Sequence, residues 1–228
     1  MKRSWISILL SLVTLASASA SAQDLKRTGE GFFIAVSGQS LAFKGDFDGR
    51  LVLWCFDKAF FVPEMKNATA FGFGLGFKRN SWLWELLYVN SRHPSAFKDR
   101  AGSSFYRSFE IDGRTFLVKD FAIKPYILVG ISVPWLTVDQ GAEMYGVKYR
   151  ATYIGLGLNF GGGIILDIAP FLFMNGGLVY RVLGYGYASG EGKGRDIFTF
   201  RVGQDGPEWK SWLKTSSLGL SFGLGFVF

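Results

Sequence analysis

Apolar and polar positions alternate with a period of two over much of the chain, and the alternation is strictest between Thr215 and Phe228. There Leu218, Leu220, Phe222, Leu224, Phe226 and Phe228 share one face, and Ser217, Gly219, Ser221, Gly223, Gly225 and Val227 share the other. A period of two is a strand, not a helix. The second face carries Gly and Ser but no charge, which does not suit a sheet wetted on one side. It suits a strand with large apolar residues toward lipid and small residues toward a narrow lumen.

The same pattern recurs along the chain. Glu30 to Lys44 is the first predicted strand; Leu41 and Phe43 break its phase, so a bulge is expected near Gly38. Ala68 to Lys78 alternates Phe71, Phe73, Leu75 and Phe77 with Ala70, Gly72, Gly74 and Gly76. Trp82 to Asn90 follows after a short turn, its phase set by Glu85: a charge in mid-bilayer is costly, so Glu85 is expected inside. The fourth strand, Ser104 to Val118, is expected to be interrupted at Asp112-Gly113. Lys124 to Val133, Tyr149 to Phe160, Phe171 to Val182 and the closing segment complete a set of eight.

Between them, Ser91–Ser103, Trp135–Lys148 and Gly184–Lys214 read as external loops, and Asp167 to Pro170 as a turn. The apolar stretch Leu51 to Met65 is expected in the headgroup region or folded over a barrel mouth. Three connections fall on one side and are short; four fall on the other and are longer. In hydrocarbon each unpaired backbone group costs several kcal/mol, so such a sheet must close, strand one against strand eight. The competing reading of Gly161 to Tyr180 as a membrane helix fails on Gly161-Gly162-Gly163, Asp167, Pro170 and Gly176-Gly177.

A final alternating strand ending in Phe resembles the assembly signal of bacterial outer-membrane barrels, carried here by Phe222, Leu224, Phe226 and Phe228. With eight strands, residues 30 to 228 resemble the small outer-membrane barrels of the OmpA transmembrane-domain or OmpW type. The resemblance implies an all-β, eight-stranded antiparallel up-and-down barrel. It also implies periplasmic chaperones, the barrel-insertion machinery, outer-membrane lipid and lipopolysaccharide as partners, and a monomeric state. Residues 1–22 fit a signal peptide: Lys2 and Arg3, an apolar core from Trp5 to Ala16, and Ala20-Ser21-Ala22 before the cleavage point. Its apolar run is shorter than the roughly 20 residues a spanning helix needs. Residues 23–228 are then the barrel domain, reaching the outer membrane after cleavage.

Composition narrows the chemistry. Cleavage takes the formal charge from +7 to +5, a basic excess that suits anionic headgroups. Aromatics make up 17% of the chain, with 23 Phe, and Gly reaches 30, as girdles and a tight lumen require. The single Cys, Cys55, and single His, His93, exclude an internal disulfide and Cys- or His-rich metal sites. Gly-rich runs such as Gly72 to Gly76 sit in strand alternation without a following helix and are not nucleotide loops. Basic residues are scattered, against nucleic-acid binding. No cofactor is expected.

Glu85, Lys124, Asn159, Asn175 and Arg181 are the candidate lumen residues, a polar network in which Glu85 and Arg181 are expected to neutralise each other. The structural role of this network, a filled lumen, is weighed against a narrow polar or proton-conducting path. His93 and Ser95 form the weak catalytic alternative. A His two residues from a Ser is similar to the arrangement in outer-membrane lipid A deacylases, where the His activates the Ser. Pro94 intervenes, the pair lies on an early strand, and no surrounding deacylase motif matches. The function expected is thus a non-enzymatic barrel contributing to envelope integrity or surface interaction through its loops. The alternatives are a lipid A-modifying hydrolase, or a passive route for small apolar molecules.

Overall fold

A computed structural model describes residues 29–47, 51–54, 58–61, 64–97, 100–118, 121–144, 147–192, 195–201 and 213–228. Residues 1–22, expected to be a signal peptide, and Cys55 lie outside the described residues. Eight long strands form the architecture: β1 (Gly31–Gly45), β2 (Ala68–Lys78), β3 (Trp82–Phe97), β4 (Arg100–Phe116), β5 (Ile123–Met144), β6 (Val147–Ala169), β7 (Leu172–Gly192) and β8 (Leu213–Val227). Each pairs antiparallel with its sequence neighbour, and β1 pairs with β8, so the sheet closes on itself. Ile34 faces Phe226 and Ala42 faces Leu218 across that seam. The fold is a closed all-antiparallel barrel of eight strands, and none of the described residues is helical.

Alternation decides which way each side chain points. Leu220 is 64% exposed and Leu156 61%, whereas their strand neighbours Gly219 and Gly155 are buried. Phe71, Trp84, Ile111, Val129, Phe160 and Leu178 continue this exposed apolar surface around the barrel. An aqueous fold would not leave so wide an apolar surface uncovered. The barrel is inside out relative to a soluble one.

Inside, two apolar clusters sit one above the other. Near the end where Gly29 and Phe228 lie, here the terminal end, Phe33, Leu83, Tyr126, Ile165 and Phe173 pack together. Toward the far end Leu41, Phe43, Tyr106, Leu136, Tyr153 and Tyr185 do so. Phe47, from the β1–β2 connection, drops onto Tyr153 and Tyr185 with ring centroids 5.5 and 5.3 Å away. Met65 closes the same connection, buried in the far-end cluster while Glu64-Met65 pairs with Ala96-Ser95 of β3. Phe47, ahead of the apolar stretch, and Met65, its last residue, thus pack into the barrel mouth. Between them Leu51–Trp54 and Lys58–Phe61 form a separate hairpin that does not prolong β1.

Several elements differ from the sequence reading. No bulge occurs at Gly38: both ladders of β1 run through it without a shift. Leu41 and Phe43 keep the inward face of Ala35 and Gln39, and only the lumen's contents change from polar to apolar at that level. Asp112-Gly113 does not interrupt β4, because Asp112 pairs with Glu85 on one side and Gly130 on the other. Within the expected loops Ser91–Ser103 and Trp135–Lys148, the described residues belong instead to the paired upper ends of β3 to β6. Asp167 lies within β6, leaving the turn to Pro170 and Phe171. The strand β7 extends to Gly192, where it pairs with Arg195–Arg201. A bilayer needs only about 9–11 residues per tilted strand, so β5, β6 and β7, at 22, 23 and 21 residues, project beyond it.

Candidate functional site

The middle of the lumen, between the two apolar clusters, is a layer of charge. Arg181 on β7 clasps Glu110 on β4, with Nε to Oε1 and Nη2 to Oε2 both at 2.9 Å. Its Nη2 also donates to Gln39 Oε1 on β1 at 2.8 Å. Arg114 Nη2 donates to Glu85 Oε2 at 2.6 Å, joining β4 to β3. Asn159 on β6 donates through Nδ2 to Asp112 Oδ1 at 2.9 Å and to Glu110 Oε2 at 3.3 Å. Five of the eight strands are tied together across the axis. Arg181, Glu110 and Asn159 are fully buried, so each charge depends on its partner in a medium that solvates it poorly.

Glycines make room for these side chains. A Cβ on Gly74 would collide with the Glu85 carboxylate, and one on Gly130 with that of Asp112. The alternating Gly residues are therefore the complement of the charged layer. A cavity of about 10 Å³ remains, bordered by Ser37, Glu85, Asp112, Arg114, Asn175 and Arg181. It has room for about one water. Arg114 Nε and Nη1 and Arg181 Nη1 have no protein acceptor.

A second charged layer seals the terminal end. Lys78 and Lys124 both hold Asp167, at 2.9 and 3.0 Å. Lys78 also donates to the Gly29 carbonyl at 2.9 Å, and Lys124 to Asn80 Oδ1 at 3.1 Å.

All five candidate lumen residues are buried inside the barrel, but they are not one group. Glu85, Asn159 and Arg181 belong to the central layer, Asn175 borders its cavity, and Lys124 belongs to the terminal layer. Glu85 and Arg181 do not neutralise each other; each takes a nearer partner from β4. Glu110, Asp112 and Arg114 were missed because Asp112-Gly113 has the composition of a turn. The signal lay in the spacing: Ser108, Glu110, Asp112 and Arg114 occupy every second position, opposite Phe109, Ile111 and Gly113. A run of charges at period two inside an apolar strand marks a lumen.

His93 lies near the far end, fully buried, with Nε2 2.8 Å from Ser91 Oγ and Nδ1 2.8 Å from the Lys66 carbonyl. The ring packs edge-on to Phe43 at 5.0 Å. Its hydrogen-bonded serine is Ser91, not Ser95, because the Lys66 carbonyl fixes the ring from above and turns Nε2 down the strand. His93 and Ser95 both point inward, so neither presents a nucleophile to the lipid-facing surface. No group of three or more His, Cys, Asp or Glu suited to a metal ion occurs among the described residues.

No protein-family model and no curated protein sequence matches the chain. Solved structures do. Neisserial surface protein A superposes with a TM-score of 0.53 at 15% identity, over 87% of this chain and 97% of that one. The outer membrane protein OprG from Pseudomonas aeruginosa gives 0.53 at 14% identity, over 90% and 99%. The fold is that of the small eight-stranded outer-membrane barrels. The outer membrane protein AlkL, solved in lipid bilayers, gives 0.52 at 14% identity, over 91% and 94%. At such identities the likeness concerns the fold, and the interior of this barrel has to be read from its own residues.

Proposed function

We propose that the protein is a non-enzymatic, sealed barrel of the bacterial outer membrane that serves envelope integrity or surface interaction through its far-end hairpins. The observation that carries this reading is the filled lumen. Two charged layers and two apolar clusters alternate along the axis, and Phe47 and Met65 close the far end. An eight-stranded barrel is just wide enough for its side chains to fill, and here the central charges pair with one another across the axis around a cavity with room for about one water. In this reading the segment 1–22 is cleaved on export. The outward face of Phe222, Leu224, Phe226 and Phe228 serves recognition by the insertion machinery, and the apolar band meets lipid.

The strands β5 to β7 carry their pairing well past the band, giving the far end paired strand extensions. Such extensions suit display. The inward placement of His93 and Ser95 counts against a lipid A hydrolase, and the packed far-end cluster counts against a passive apolar route. The test is single-channel recording on the full chain reconstituted in planar bilayers. A flat baseline at voltages that open porins is the expected result; steady unitary steps would overturn the sealed reading.

A further inference from the structure

The outward face of the barrel carries a basic stripe where the apolar band ends. On β3 the outward residues run Trp84, Leu86, Tyr88, then Asn90 and Arg92, so the band stops at Tyr88. Tyr88, Phe109 and Trp135 stack there on three adjacent strands, with centroids 5.2 Å (Tyr88–Phe109) and 5.4 Å (Phe109–Trp135) apart. Clustered aromatics of this kind mark the membrane–water interface. Immediately beyond them Arg107 sits opposite Asn90, and Arg92 sits opposite Phe105. Lys66, whose amide bonds the Pro94 carbonyl, follows on the other side of β3.

The three cations therefore climb diagonally across adjacent chain segments, with Arg92 and Arg107 about 7–8 Å apart at the Cα atoms. Arg92 is held over the Phe105 ring, 5.4 Å from its centroid, which fixes its direction along the surface. None of the three forms an ion pair with a described residue. Two acids lie above the stripe: Asp139 of β5 pairs with Ser103, at the level of Pro94, and Glu64 lies opposite Ala96, two residues farther from the membrane than Lys66.

We propose that Arg92 and Arg107, with Lys66 at the upper edge, form a binding site for the phosphate groups of lipopolysaccharide in the outer leaflet. The depth is right, since phosphates lie just above the acyl chains that the Tyr88–Phe109–Trp135 shelf would meet. The chemistry is right as well: a guanidinium presents a planar fork of donors to phosphate oxygens. Two unpaired guanidiniums a diagonal apart repel each other unless an anion lies between them. Tyr88 and Phe109 below would cover the adjoining glycolipid chain. The site rests on the outer-membrane reading given above.

The test uses the full chain folded in detergent micelles, with folding checked by heat-modifiable electrophoretic mobility. Binding of lipopolysaccharide is measured by thermophoresis before and after enzymatic dephosphorylation, beside phosphatidylglycerol vesicles. The wild type should prefer the phosphorylated form at least about tenfold. The double variant Arg92→Gln/Arg107→Gln should lose that preference. The variant Arg79→Gln, at the opposite end of the barrel, should keep it. If the double variant does not fold, Arg92→Gln alone should lose a few-fold. Equal binding by wild type and variant, indifference to dephosphorylation, equal affinity for phosphatidylglycerol, or an equal loss in Arg79→Gln would each overturn the site. A wild type with no heat-modifiable form would instead sink the barrel reading beneath it.

Discussion

Arg181 reaches across the lumen to Glu110 and holds it through two parallel bonds of 2.9 Å, while Gln39 takes the same guanidinium from a third strand. Both partners are buried, so the pair behaves as a strut whose halves cannot be removed singly. Arg181→Met should destabilise the folded barrel by about 3–5 kcal/mol, and Glu110→Met by a similar amount, because each leaves an uncompensated buried charge. The double variant should recover most of the loss. Denaturant unfolding followed by tryptophan fluorescence reads all three, and single-variant losses under about 0.5 kcal/mol would count against the strut.

The Gly residues of the lumen are expected to be intolerant in proportion to the charge beside them. Gly130→Ala places a methyl against the Asp112 carboxylate and should cost about 1–3 kcal/mol. Gly176, on the lipid-facing side of β7 in phase with exposed Leu178, has no atom within 4 Å of an added Cβ, so Gly176→Ala should be neutral or slightly stabilising and serves as the outward control. The same unfolding measurement separates the two; equal effects would mean that the charged layer does not set the glycine pattern.

His93 gives a pH dependence with a defined sign. It lies beyond the apolar band, level with outward Arg92 and Pro94. Burial holds its imidazole below the usual histidine value, partly opposed by the bond to the Lys66 carbonyl. The groups facing it are Ser91, Phe43, Tyr106 and that carbonyl, none of them charged at neutral pH. As pH falls below about 6.5 the unfolded chain takes up a proton that the folded chain refuses, so stability falls with it. Above that pH the contribution is constant. His93→Gln should flatten this component of a stability profile between pH 7.5 and pH 5; an unchanged slope would show that His93 does not carry it.

How much of this could be read from residues alone follows from what each feature depends on. The alternation of β2, β6 and β8 was legible because one face of each is large and apolar and the other is Gly, Ser or Asn. The inward phase of Glu85 and Arg181 followed from the cost of charge in hydrocarbon. Their partners did not, because pairing across a lumen depends on register, and nothing in a single strand encodes its offset from the next. The upper ends of β3 to β6 were illegible for a related reason. Outside the membrane no apolar face is required, so Ser91–Ser103 has a loop's composition while the backbone of residues 91–97 and 100–103 keeps the ladder.

The central claim is that the chain forms one shut cylinder, with β1 against β8 and the even-numbered residues of β8 turned to lipid. Cross-strand nuclear Overhauser effects on the folded chain in lipid bilayers or micelles test it most directly. The account expects an unbroken ladder from Ile34 opposite Phe226 to Ala42 opposite Leu218. It also expects acyl-chain cross-peaks on Leu218, Leu220 and Phe222 but not on Ser217. A folded spectrum lacking the β1–β8 ladder, or lipid cross-peaks on Ser217, would contradict it.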